Sequence, residues 1–140
     1  MDHLLDDTPV QSGKILLAAV RGGLIAIAAN LLLYLVATSL LGLQLLVPSP
    51  ATGEIAPLPA LAMVFATAVG AVGGALVFAA LARFVRRPRH TFLIVSVVFT
   101  IISFASPAVL PTDLATILVL EIAHVLAAIP ITWTLLRDTR

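Results

Sequence analysis

Four long apolar stretches alternate with short polar ones along the chain. Residues 22–42, 58–81, 91–109 and 114–136 are almost free of charge, while segments 48–57, 83–90 and 111–113 between them hold prolines, turn residues and charges. An α-helix rises about 1.5 Å per residue and the hydrocarbon core of a bilayer is about 30 Å thick, so a spanning helix needs roughly 20 apolar residues. All four stretches meet that length. The pattern predicts an all-α protein, a four-transmembrane-helix antiparallel bundle in which 1–140 is a single membrane domain and the polar segments are linkers.

Composition sharpens this reading. Of the 140 residues 61% are hydrophobic and 11% charged, with a mean hydropathy of +1.15, whereas a soluble domain keeps about a quarter of its residues charged. Disorder is excluded at this hydrophobicity. The formal net charge of +1 gives no field for a nucleic-acid partner. Without cysteine there is no disulfide, thiolate metal site or thiol nucleophile. No nucleophile–base pair, phosphate loop or metal-ligand spacing stands out, so neither a cofactor nor a metal is expected, and the chain reads as non-enzymatic.

Lys14 and Arg21 precede the first stretch, Arg83, Arg86, Arg87 and Arg89 lie between the second and third, and Arg137 and Arg140 follow the fourth. All eight positive residues thus fall on one side, facing Glu54 and Asp113 on the other. Because cytoplasmic loops retain Lys and Arg, both termini and the arginine hairpin are expected in the cytoplasm, in a bacterial cytoplasmic membrane. Arg83, Arg86, Arg87 and Arg89 would meet anionic headgroups there, with topology determination as their simplest role. Trp133 fits the interfacial aromatic belt. Asp2, Asp6 and Asp7 and the length of the first apolar run argue for an anchor rather than a cleaved signal. Thr8 to Gln11 has capping-box spacing with Pro9 at the first helical position, and Asp113 or Thr112 is placed to cap the fourth helix.

Lipid tails are as apolar as leucine, so small residues and interhelical hydrogen bonds must hold such helices together. Ala62, Ala66, Gly70 and Gly74 recur every four residues in the second stretch, and Ala18, Gly22 and Ala26 do so in the first. These predict either a contact between helices one and two, which a short loop already holds antiparallel, or a surface for a homo-oligomer or a larger membrane complex. Pro107 is expected to end or bend the third helix and Pro130 to free the carbonyl of Leu126 in the fourth.

One constellation could carry chemistry. Glu121 and His124, three residues apart, share a helix face deep in the fourth stretch. Asn30 reaches a similar depth, and Ser96, Thr100 and Ser103 align three hydroxyls on one face of the third helix. A charged acid near a helix centre costs about 2.5–3.5 kcal/mol to insert, so Glu121 is expected to face the bundle, protonated or paired with His124. The cluster could serve packing, a proton or substrate pathway, or, less in keeping with its single histidine, metal or haem binding.

Residues 21–30 (RGGLIAIAAN), residues 80–84 (ALARF) with the arginine-rich hairpin after them, and His124 in the last helix resemble a family of small bacterial four-helix integral membrane proteins of unknown function. That resemblance implies the topology and carries no activity. Small multidrug-resistance transporters are similar in size, but their membrane glutamate lies in the first span, where this chain has no acid. The expected role is a multi-pass membrane protein acting through self-association or as a subunit of a membrane complex. The alternative is a proton-linked transporter or channel subunit using Glu121 and His124.

Overall fold

A computed structural model of the chain describes residues 9–49 and 52–140. Helix α1 (Ser12–Leu35) runs on into a π-helical turn (Val36–Leu40). A short hairpin follows, β1 (Leu46–Pro48) and β2 (Ile55–Pro57), and then α2 (Ala60–Phe84), α3 (Pro88–Ser103), the single turn α4 (Ala105–Ala108) and α5 (Leu114–Asp138). The segments Ser12–Leu40, Ala60–Phe84, Pro88–Ala108 and Leu114–Asp138 are long and apolar enough to cross a membrane.

Local chemistry sets the helix ends. Asp113 caps α5, its carboxylate accepting the Thr116 N–H at 2.9 Å and the Thr116 hydroxyl at 2.7 Å, which satisfies donors that the first turn leaves orphaned. Thr112 instead donates to the Leu46 carbonyl at 2.6 Å and ties this turn to the hairpin. Pro88 opens α3, where its missing N–H costs nothing. Pro107 has no N–H to offer the Ser103 carbonyl, and α3 stops at Ser103. Near the end of α1 the Thr38 hydroxyl takes the Tyr34 carbonyl at 2.8 Å, the acceptor an α-helical N–H of Thr38 would use, and the backbone widens into the π turn. Gly42, at φ +67°, ends it.

The start of α1 departs from the sequence expectation. The helix begins at Ser12 with Gln11 at the N-cap position and no side-chain cap, so Pro9 lies outside it. The Gln11 N–H donates to the Thr139 carbonyl at 2.9 Å, tying this segment to the end of α5. Thr8, with the rest of the expected capping box, and Asp2, Asp6 and Asp7 lie outside the described residues. The hairpin in the loop was not foreseen either. Leu46 pairs with Pro57, Val47 with Ala56 and Pro48 with Ile55, and the turn is helped by Gly53 at φ +71°.

Helix α1 runs antiparallel to both α2 and α5. Along α1, Gly23 meets Ala71, Asn30 meets Thr67 and Tyr34 donates to the Leu58 carbonyl at 3.0 Å, so α2 descends as α1 rises. Lys14 reaches the Arg140 carbonyl at 2.9 Å and Gly22 lies against Ile131 and Thr134, so α5 is antiparallel to α1 as well. One apolar cluster gathers Ile15, Ala18, Ala26, Phe78, Phe92 and Leu135, with the Phe78 and Phe92 rings 4.8 Å apart. A second, at the other end, joins Ala37, Leu45 and Val119. Leu16, Leu24, Leu32, Phe65 and Phe99 point outward, a belt that only an apolar solvent tolerates. Length, composition and exposed surface are those of a multi-pass membrane protein.

Candidate functional site

Polar groups inside the spans are few, and the structure does not bring them all together. Asn30, only 3% exposed, donates through Nδ2 to the Thr67 hydroxyl at 2.9 Å, and Thr67 in turn donates to the Met63 carbonyl at 2.8 Å. The Asn30 side-chain oxygen is buried and has no hydrogen-bond partner. This α1–α2 bond replaces the expected partnership of Asn30 with Glu121 and His124. Thr67 was missed in the sequence, although it is the one hydroxyl in the second apolar stretch, and a lone polar residue in an apolar helix is itself a signal.

Glu121 and His124 are both half-buried on α5, yet no hydrogen bond or ion pair joins them. His124 Nδ1 lies 2.7 Å from the Leu120 carbonyl of its own helix. A carbonyl only accepts, so this nitrogen carries the hydrogen. Glu121 precedes by one turn Val125, which lines the side of α5 turned toward α3. The expected pair therefore does not form, and His124 is satisfied by its own backbone.

The three hydroxyls of α3 are half-buried. Thr100 donates to the Ser96 carbonyl at 2.8 Å and Ser103 to the Thr100 carbonyl at 2.7 Å, so two of them satisfy their own helix. Ser96 and Thr100, with Phe104, form one wall of an open apolar groove of about 380 Å³, and Val125, Trp133 and Leu136 of α5 form the other.

The small residues are used differently from the sequence expectation. A Cβ on Gly22 would lie 2.3 Å from Thr134 Oγ1, 2.9 Å from Ile131 Cα and 3.0 Å from the Pro130 oxygen, so this glycine serves the contact with α5, not α2. Its neighbour Gly23, which meets Ala71, serves α2. Gly74 faces Ile131 and Leu135 of α5. Ala26 is fully buried. Ala62, Ala66 and Gly70, by contrast, point outward, with nothing within 4 Å of a Cβ built on Gly70. In α2 the buried stripe is Met63, Thr67, Ala71 and Phe78, rotated from the one picked out by four-residue spacing.

The basic residues divide as well. Arg83, Arg86 and Arg87 are exposed, whereas Arg89, expected at the headgroups, is 2% exposed. Its guanidinium donates to the carbonyls of Leu136 and Thr139, the last acceptors of α5, which a cation at a helix C-terminus suits. Arg21 lies 3.4 Å from Asp138. Among the described residues no group of three or more His, Cys, Asp or Glu could hold a metal ion.

Neither the curated proteins nor the solved structures gave a match. Residues 10–140 match a family of unknown function, DUF6069. The match spans nearly the whole chain, and the chain belongs to that family.

Proposed function

We propose that this protein is a non-enzymatic component of a bacterial cytoplasmic membrane, with its termini and arginine hairpin in the cytoplasm, and that it acts through self-association or as a subunit of a membrane complex. One observation carries the reading: the stripe Ala62, Ala66, Gly70 on α2 faces outward and is left open by the chain's own packing. Small residues on a lipid-facing stripe allow a second backbone to approach closely, which is what drives helix association where hydrophobicity cannot. The orientation rests on the placement of all eight Lys and Arg at the end of the fold where Gln11, Arg89 and Thr139 meet.

The chain has no cysteine, so a single Ala66→Cys variant reports on that face. In bilayers it is expected to form a disulfide-linked dimer or to cross-link a co-purifying chain, whereas Leu24→Cys on the exposed face of α1 does neither. A chain that stays monomeric and without a companion at every protein-to-lipid ratio would overturn the proposal. A second reading, proton-linked transport, draws on Glu121, an acid within a span with no ion pair among the described residues. Proton flux in liposomes that Glu121→Gln abolishes without loss of fold would favour it; no flux in the native chain would dismiss it.

A further inference from the structure

The groove between α3 and α5 has the dimensions and surroundings of a lipid site. It runs along α3 from Leu93 to Phe104, eleven residues or about 16 Å of helix. That is half the ~30 Å hydrocarbon core, the depth of one leaflet. Its volume of about 380 Å³ falls among small-molecule pockets, and its walls are apolar apart from Ser96, Thr100 and Thr132. Of the two hydroxyls that α3 brings to the groove, Thr100 Oγ1 is already spent on the Ser96 carbonyl.

The end of the groove toward the arginine hairpin is different. Trp133, 49% exposed, lines it there, and indole rings favour the level of the headgroups. Arg137 follows Trp133 by four residues on the same face of α5 and is exposed. His90, also exposed, precedes the groove residue Leu93 by three residues, about one turn of α3. Asp138, the carboxylate next to Arg137, is already paired with Arg21 at 3.4 Å. No acidic residue occurs between 83 and 90. An apolar slot one leaflet deep, with an exposed cation and an exposed imidazole about one helical turn beyond the lining residues Trp133 and Leu93, is complementary to an acyl chain ending in an anionic phosphate.

We propose that this groove binds one acyl chain of an anionic phospholipid, whose phosphate is held by Arg137 and His90. The site is separate from the outward stripe of α2 and stands or falls independently of self-association.

Trp133 is the only tryptophan, so its fluorescence reads the groove directly. The full chain is placed in vesicles mixing phosphatidylglycerol and phosphatidylcholine, with one or the other carrying brominated acyl chains that quench indole. Brominated phosphatidylglycerol is expected to quench more strongly than brominated phosphatidylcholine, with an apparent preference of about fivefold at low salt, the effect of one basic residue beside an anionic headgroup. Arg137→Gln should bring the preference close to one. Arg83→Gln, at the end of α2 with its guanidinium 5.9 Å from the Phe84 ring centroid, should leave it unchanged. Ala128→Phe should protect Trp133 from both lipids by filling the groove, and if that variant fails to fold, the two arginine variants still decide. Equal quenching by the two lipids in the native chain overturns the proposal. So does an equal loss with Arg83→Gln, which would mean general surface attraction, or quenching that fades as the protein-to-lipid ratio rises, which would mean a second copy in the groove.

Discussion

Gly22→Ala is the smallest change that probes how this fold is held together. The added methyl carbon would sit 2.9 Å from Ile131 Cα and 3.0 Å from the Pro130 oxygen, both backbone atoms of α5, and 2.3 Å from Thr134 Oγ1. Carbon atoms in contact rest at about 3.5–4.0 Å, so α1 and α5 must part by about 0.6–1 Å. Overpacking of this kind costs about 1–3 kcal/mol, and two backbone contacts that no rotamer change relieves place it near the upper value. Alanine also gains about 1 kcal/mol over glycine in a helix, which partly masks the clash. Gly70→Ala removes that ambiguity, because it has the same propensity gain and meets nothing within 4 Å. Reversible unfolding in mixed micelles dilute enough to keep the chain monomeric should therefore find Gly22→Ala less stable than Gly70→Ala by about 3 kcal/mol. Adding Thr134→Ala to Gly22→Ala removes the 2.3 Å contact but neither backbone contact, so rescue should be partial. If the two glycine variants unfold alike, within about 0.5 kcal/mol, the α1–α5 contact is not the close approach described here.

Three further outcomes follow from the same geometry. Arg89→Gln strips two charge-assisted hydrogen bonds from the end of α5 and should cost about 2–3 kcal/mol, with faster amide exchange in the last turn; Arg89→Lys restores part of it and exposed Arg86→Gln stays neutral. A double-mutant cycle on Asn30→Ala and Thr67→Val should give a coupling of about 0.6 kcal/mol and no more than about 1.7, the range for hydrogen bonds between membrane helices. At Asp113 the hydrogen bonds from the Thr116 N–H, and next from its hydroxyl, hold the carboxyl below the usual aspartate value. A lowered folded-state pKa means stability that is whole above the unfolded value and is lost as pH falls through the folded one, so an acid titration should destabilise the native chain below the ordinary aspartate range, and Asp113→Asn should lack that component.

The four long apolar helices were legible in the sequence because length and hydropathy mark them. A bilayer demands about 20 apolar residues per crossing and leaves charges at the ends, and both signals are one-dimensional. The cap at Asp113 was legible for the same reason, being a local pattern. The contact between α1 and α2 was expected and is present; which face of each helix makes it was not legible. Four-residue spacing selects a stripe on α2 but says nothing of its direction, and the stripe of Ala62, Ala66 and Gly70 turned outward while Met63, Thr67 and Ala71 turned in. In a soluble protein the apolar side would have betrayed the buried face; here every side of α2 is apolar, and the hydrophobic pattern loses its power to orient. Arg89 was misplaced for a related reason. A run of arginines looks uniform, and only the arrival of the end of α5 beside α3 distinguishes the one that is buried.

The groove between α3 and α5 has a cause in the chain itself. Consecutive Gly22 and Gly23 point about 100° apart on α1, one toward α5 and the other toward α2, so a single helix accepts two close neighbours. Accordingly 39% of the most apolar window of the first span is buried inside the chain, against 11% of the third. Helix α3 contains neither glycine nor alanine, so its valines, isoleucines and phenylalanines offer α5 no such close approach. Its firm attachments lie at one end, where Phe92 packs on Phe78 and Arg89 grips the end of α5. A helix pinned at its start and bulky thereafter must leave a wedge beside its neighbour. In a bilayer that wedge cannot stay empty, because the missing dispersion contacts have to be supplied by acyl chains.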